Sequence, residues 1–239
     1  QGVGTMIKKT ILSSVALALA LGSTLAQAQQ FTVSVKNLTH AINFTPLFIS
    51  AHNDAIHLFQ SGATASSELQ AMAEGGDISS LVTLLDAAGA NNATPPGLLA
   101  PGASSPASSI DTGTSNNEYL SVVAMLLPTN DGFIGLNSWK VPTTPGTYTI
   151  NINAYDAGTE ANNEIINAGG APGVLGIPAA PSGPTGTNGT GVAGVDTNQT
   201  VHIHRGNLGD TNPTGGASDV DSRVHRWLNP VARVTVTVQ

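Results

Sequence analysis

The sequence predicts an all-β fold, an antiparallel β-sandwich with one or two short helices in a satellite insertion. Several short segments alternate apolar and polar side chains or are continuously apolar, and they are rich in Val, Ile, Thr and Phe. The segments between them are turn-rich, and the chain has 27 Gly and 14 Pro in 239 residues. Short strands separated by such turns are typical of antiparallel sandwiches.

The strands are predicted in chain order from these segments. The first is residues 31–37, which alternate at period two. The second is the apolar run 45–52, with Pro46 at its start because proline donates no ladder hydrogen bond. The remaining strands are predicted at 120–127, 133–136, 147–155, 201–204 and 231–238.

Two short helices are predicted between the second and third of these strands. The spacing from Ser67 to Gln70 is that of a capping box, and Gly75–Gly76 ends the first helix. Asp77 is expected to cap the second helix, which ends near residue 88. Each helix has one apolar face, formed by Leu69, Met72 and Ala73 in the first and by Ile78, Leu81, Val82 and Leu85 in the second. We expect both to lie outside the main core.

Two long segments, 90–117 and 168–197, consist mainly of small and polar residues and have few large side chains to bury. They are predicted to be low-complexity loops. Because so much of the chain is loop, residues 29–239 are expected to form a single domain.

Residues 1–28 are predicted to contain a secretory signal peptide with a few upstream residues. Lys8 and Lys9 are followed by an apolar run rich in Ala and Leu, and a small-x-small motif ends at Ala28. The apolar run is shorter than the roughly 20 residues that a membrane anchor needs. We therefore expect the mature chain to begin at Gln29 and to be secreted or periplasmic, without membrane insertion.

Charge and composition exclude several functions. The formal net charge is −7, from 8 basic and 15 acidic residues, so the chain has no basic stripe for nucleic acid and is repelled by anionic membranes. It contains no Cys, which excludes disulfides and cysteine catalysis. Stability outside the cell must then come from core packing, from a bound ion, or from both.

Two acidic turns are candidates for such an ion. Asp131 lies in a polar turn between two apolar runs, and Asp156 and Glu160 follow the alternating strand that ends at Tyr155. Calcium takes six to eight oxygen ligands in irregular geometry, and Gly158 would allow the chain to bend around it. Two ordinary acidic surface turns would contain the same residues.

Three motifs extend this hypothesis. Residues 125–135 read MLLPTNDGFIG, residues 155–160 read YDAGTE and residues 229–234 read NPVARV. With the first strand and the first helix, they resemble the spondin N-terminal domain family over nearly the whole mature chain. The loops at 90–117 and 168–197 have no counterpart in it.

The resemblance implies a β-sandwich similar to a C2 domain, with Ca²⁺ held at one end and a role in adhesion or extracellular binding. Carried over by position, the ligands are Asp131, Asp156 and Glu160. The animal members often have Asp where Glu160 stands, so this ligand could bind differently or through water. They also carry cysteines that are absent here. The expected partner is a protein or a glycan at the cell surface.

Two other functions stay open. His202 and His204 are two residues apart on a predicted strand and face one side, a spacing that could bind Zn²⁺ or Cu²⁺ in a metal-dependent enzyme or a metal-handling protein. The fold would have to bring one of the other histidines near them: His52, His57 or His225. A purely structural envelope protein is the third possibility. Because no serine-nucleophile, zinc-helix or phosphate-loop motif is present, we expect no enzyme activity.

Overall fold

The computed structural model describes residues 1–2, 28–113, 116–193 and 199–239. In these ranges the chain forms two α-helices, α1 (Ser67–Gly75) and α2 (Ser79–Ala87). It also forms ten β-strands: β1 (Gln30–Asn37), β2 (Asn43–Phe44), β3 (Phe48–His52), β4 (Asn91–Ala93), β5 (Ser108–Asp111), β6 (Tyr119–Leu127), β7 (Gly132–Lys140), β8 (Gly146–Asp156), β9 (His202–Ile203) and β10 (Ala232–Val238). Most of the predicted signal peptide lies outside the described residues.

The strands form one sheet that folds back on itself. Its order is β4-β3-β6-β7-β8-β10-β1-β5, every pairing between named strands is antiparallel, and β2 and β9 pair with β6 and β8. The two end strands meet, because the side-chain amide of Asn91 in β4 donates to the carbonyl and carboxylate oxygens of Asp111 in β5. The all-β antiparallel prediction is therefore confirmed, in a nearly closed, sandwich-like form.

The alternating strands produce the main core. On β1 every second side chain is buried, and Val33 and Val35 lie opposite Val236 and Val234 of β10. Burying both members of such cross-strand pairs is what stabilises a sheet of short strands. The polar residues between them face outward, so the period-two pattern in the sequence corresponds directly to the inner and outer faces.

The helices have a second hydrophobic cluster of their own. It lies on the opposite face of β3, β6 and β7, and its fully buried members include Leu69, Met72, Leu81, Leu85 and Phe133. The capping residue of α1 is Ser66 and not Ser67, because the Ser66 hydroxyl accepts from the Leu69 amide at 3.1 Å. The N-cap of α2 is Ile78 and not Asp77 as predicted, although the Asp77 carboxylate accepts from the Ser79 amide at 2.9 Å. The helices thus lie outside the main core but are packed firmly on the sheet.

Residues 90–113, most of the predicted loop 90–117, are more ordered than their composition predicts. They contain β4 and β5, and Leu99 and Ile110 are buried in the main core. The prediction of a long loop was wrong here because strands of three or four residues give too little periodicity to detect.

Residues 164–193 and 199–222 are held largely by buried carboxylates. Glu164 accepts hydrogen bonds from the amides of Leu208 and Gly209 and from the Ser218 hydroxyl. Asp219 accepts from two further backbone amides, 30 and 53 residues away in sequence. Because these loops have few apolar side chains, the carboxylates provide the long-range contacts that a hydrophobic core would otherwise supply.

Candidate functional site

The strand ladder brings the three predicted ligands to one end of the sandwich. Asp131 is in the turn between β6 and β7, Asp156 is the last residue of β8, and Glu160 follows in the next loop. In the antiparallel β7–β8 pair, Gly132 lies opposite Asp156. The start of one strand and the end of the other therefore meet, and the two acidic segments become neighbours.

Asp131 joins the two segments. Its side chain is fully buried, and its Oδ2 accepts from the backbone amides of Thr159 and Glu160 at 2.8 and 3.1 Å and from the Thr159 hydroxyl at 3.3 Å. The other carboxylate oxygen, Oδ1, is buried and has no hydrogen-bond partner. An unpartnered, buried carboxylate oxygen is costly, so this one requires an explanation.

Glu160 shows the same division between its two oxygens. Oε2 accepts from the Asn130 side chain and the Gly176 amide, both at 3.1 Å. Oε1 is buried without a partner. Two unpartnered carboxylate oxygens therefore belong to residues of the same pair of loops.

Asp156 has both oxygens engaged. Oδ1 accepts from the Gly158 amide at 2.8 Å and Oδ2 from the Asn162 side chain at 2.7 Å, while His202 Nε2 lies 3.7 Å from Oδ2. Only 1% of Asp156 is exposed. It contributes negative charge beside Asp131 while holding the 156–162 loop in a tight turn.

Burial makes ionisation of these groups unfavourable. Removal from water and, to a smaller extent, the charge of Asp156 raise the pKa of Asp131 to about 7, although the backbone amides of Glu160 and Thr159 act in the opposite direction. Burial likewise raises the pKa of Glu160 to about 7, with a smaller contribution from the charge of Glu74. A cation at this position would reverse both effects, because it favours the ionised carboxylates.

The predicted histidine pair lies beside the same acidic loops. His202 Nε2 lies 3.7 Å from Asp156 Oδ2, and the charge of Asp156 also acts on His204, where it opposes the lowering of the pKa by burial. His204 is buried, which lowers its pKa to about 4. Its Nδ1 accepts from the Gly206 amide, so the neutral ring carries its hydrogen on Nε2, which has no partner. In this tautomer Nε2 has no lone pair to give to a metal ion.

Two of the other histidines are occupied elsewhere. The ring nitrogens of His52 contact Ser121 and the Asn53 carbonyl, and those of His225 contact the Ser182 carbonyl and the Asp221 amide. In the part of the chain that the structure describes, no group of three or more His, Asp and Glu side chains is arranged to hold a metal ion. Two of the predicted ligands offer unpartnered oxygens suited to a hard cation, and the third is hydrogen-bonded.

A comparison with known protein families covers this end of the molecule. The model of the Spondin_N family matches residues 28–165, which is more than half of the chain. The chain belongs to the Spondin_N family. The Spondin_N match includes all three carboxylates and ends before His202 and His204. It also ends before residues 229–234, although the sequence motif there was expected to belong to the resemblance.

Membership of the Spondin_N family makes the protein an extracellular-type β domain. No curated protein gives a match. Across the described residues, no helix combines the length and the apolarity needed to cross a lipid bilayer.

The sequence analysis missed the residues that hold the carboxylates in place. Asn130 and Thr159 are immediate neighbours of Asp131 and Glu160, and both bond across the two loops, Asn130 to Glu160 and Thr159 to Asp131. Both lie inside the quoted motifs 125–135 and 155–160. The sequence does show that a polar residue directly precedes each of these two carboxylates, Asn130 before Asp131 and Thr159 before Glu160.

Proposed function

We propose that the protein is a secreted or periplasmic binding module in which Asp131, Glu160 and Asp156 hold Ca²⁺ between two loops. The observation that carries the proposal is the pair of buried carboxylate oxygens, Asp131 Oδ1 and Glu160 Oε1, without partners where the loops meet. Ca²⁺ prefers carboxylate and carbonyl oxygens and accepts irregular geometry, which suits ligands drawn from loops. Asp156 adds charge beside them.

The ion would have a structural role, fixing the loop at 156–160 against the turn at Asp131. The chain has no disulfide to do this, and the loops beyond β8 contain few apolar side chains. The proposal assigns no catalytic step to the carboxylates, because none of the three is more than 7% exposed. Family membership and the predicted signal peptide support a location outside the cytoplasm, where millimolar-range calcium sites are in use.

Calorimetric titration of Ca²⁺ into the EDTA-treated protein tests the proposal. We expect one saturable binding event in the wild type and none in Asp131→Asn or Glu160→Gln. Asp54→Asn is the matched control, because Asp54 is an exposed carboxylate far from these loops in sequence, and it should bind as the wild type does. Absence of binding in the wild type, or equal binding in all four proteins, would contradict the proposed site.

A further inference from the structure

The sheet opens between β7 and β8 a few residues away from the acidic loops. The two strands are paired only where Gly132–Gly135 of β7 lie opposite Asn153–Asp156 of β8. Farther along, β7 stays paired with β6 as far as Lys140, and residues 146–152 of β8 pair with β10. A groove of about 360 Å³ lies where the strands separate.

A β-bulge produces the opening. Leu120 of β6 pairs with Trp139 of β7, and Val122 pairs with Leu136. One residue of β6 therefore lies opposite two residues of β7, which has one extra residue at this point. Ser138 in this bulge has φ of 51°, a left-handed conformation that is uncommon for a residue with a side chain. Bulges bend a strand away from its neighbour and are frequent beside binding sites.

Hydrogen bonds hold the bulge in this conformation. The Ser138 amide donates to the Ser121 hydroxyl at 2.9 Å, and its own hydroxyl donates to the Ile56 carbonyl at 2.9 Å. The side-chain oxygen of Asn137 accepts from the Leu58 amide at 2.8 Å, which anchors the chain directly before residues 59–61, and these three residues form one wall of the groove. The groove is therefore a built feature and not a gap between mobile loops.

The lining chemistry is neutral and rich in amides. It includes the side chains of Gln60, Asn137, Asn151 and Asn153 together with the rings of Phe59 and Tyr155. Among the described residues that line it, none is Asp, Glu, Lys or Arg. The carboxamide oxygen of Asn151 accepts from Arg233 Nε at 3.0 Å, which orients its NH₂ group.

We propose that this groove binds a short neutral saccharide. The side-chain amides of Gln60 and Asn153 each offer a donor and an acceptor side by side, which matches neighbouring sugar hydroxyls, and the partly buried ring of Tyr155 offers a surface for the apolar face of a sugar. A charged ligand would find no counter-charge in the lining, and an apolar ligand would leave the amides unpaired. The volume lies within the range of about 300–1,000 Å³ that is usual for small-molecule pockets.

The saccharide site goes beyond the proposed calcium site and does not depend on it. Tyr155 and Asp156 are adjacent, and the short β7–β8 ladder joins the groove to the acidic loops. The two sites are nevertheless formed by different side chains. A titration carried out both in EDTA and in Ca²⁺ therefore separates failure of one claim from failure of the other.

Nuclear magnetic resonance of the full chain tests the inference, with side-chain NH₂ signals as the readout. The probes are neutral disaccharides of glucose, galactose, mannose and N-acetylglucosamine, each titrated to millimolar concentration. We expect saturable shifts of the Asn151 and Asn153 amides with at least one probe. Asn153→Ala should weaken that binding about tenfold, the loss expected for one hydrogen bond within a cooperating set.

Thr149→Ala is the matched control, because Thr149 is exposed on the same strand and does not line the groove. It should bind as the wild type does. The inference is overturned if no probe shifts the groove amides, or if Asn151→Ala and Asn153→Ala together leave the affinity unchanged. It is also overturned if an uncharged Ser-Thr peptide shifts these strands while the saccharides do not, since the groove would then pair with a β-strand.

Discussion

The substitution Asp131→Asn should stabilise the metal-free protein and abolish its response to calcium. The amide oxygen of Asn can still accept from the backbone amides of Thr159 and Glu160, so the link between the two loops is kept. What is lost is a buried negative charge beside Asp156. If the Asp131 carboxylate instead stabilises the fold through the hydrogen bonds that it accepts, the substitution will lower the stability.

The magnitude follows from the pKa of Asp131. Its folded-state pKa of about 7 exceeds the ordinary value of 3.8, so the folded protein binds more protons than the unfolded chain between these values. The free energy of unfolding therefore falls as the pH rises through this window when no metal is present. A pKa raised from 3.8 to about 7 corresponds to about 4 kcal/mol at about pH 8, and to less than about 1 kcal/mol at about pH 4.

Urea unfolding in EDTA at several pH values measures this difference between wild type and Asp131→Asn. We expect the variant to be more stable by up to about 4 kcal/mol at about pH 8, with the difference disappearing toward about pH 4. Added Ca²⁺ at about 100 times its dissociation constant should raise the free energy of unfolding of the wild type by roughly 2.7 kcal/mol and leave that of the variant unchanged. A variant that is less stable than the wild type at every pH would refute this reasoning.

Three further substitutions test the packing and the loop contacts by urea unfolding. Leu85→Ala should cost about 2–5 kcal/mol because Leu85 is fully buried in the second cluster, whereas Leu84→Ala, with Leu84 51% exposed, should change stability by less than about 0.5 kcal/mol. Glu164→Gln should cost about 1.5–3 kcal/mol and increase proteolysis at 205–220, because its carboxylate accepts three hydrogen bonds; the control Glu118→Gln breaks an exposed ion pair and should cost less than about 1 kcal/mol. Gly158→Ala should cost about 1–3 kcal/mol and weaken Ca²⁺ binding, because Gly158 has φ of 70° and an added Cβ would lie 2.6 Å from a backbone oxygen. Equal losses in a substitution and its control, or no loss in Gly158→Ala, would contradict the corresponding contact.

Strands with one buried and one exposed face could be predicted from the sequence. β1, β8 and β10 alternate because each presents one side to the core, and the predicted bounds agree with the observed ones to within a residue. β7 was predicted to end at 136 but continues to Lys140. The polar pair Asn137–Ser138 forms a bulge, which interrupts the apolar run and has no sequence periodicity.

The candidate site was only partly predictable. Acidic residues in two turns indicated that Asp131, Asp156 and Glu160 would meet, because the turns lie at one end of neighbouring antiparallel strands. The carboxylates that organise the later loops could not be predicted. The partners of Glu164 lie 44 to 54 residues away in sequence, and no local pattern encodes contacts of that separation.

A crystal structure of the protein grown with Ca²⁺ would show whether an ion lies between the two acidic loops. We expect a single ion bound by Asp131 Oδ1 and Glu160 Oε1, the two buried carboxylate oxygens that have no hydrogen-bond partner. Calcium's anomalous scattering would identify it. Crystals saturated with Ca²⁺ that show no ion between these loops, with both carboxyl groups hydrogen-bonded as neutral acids, would contradict the account.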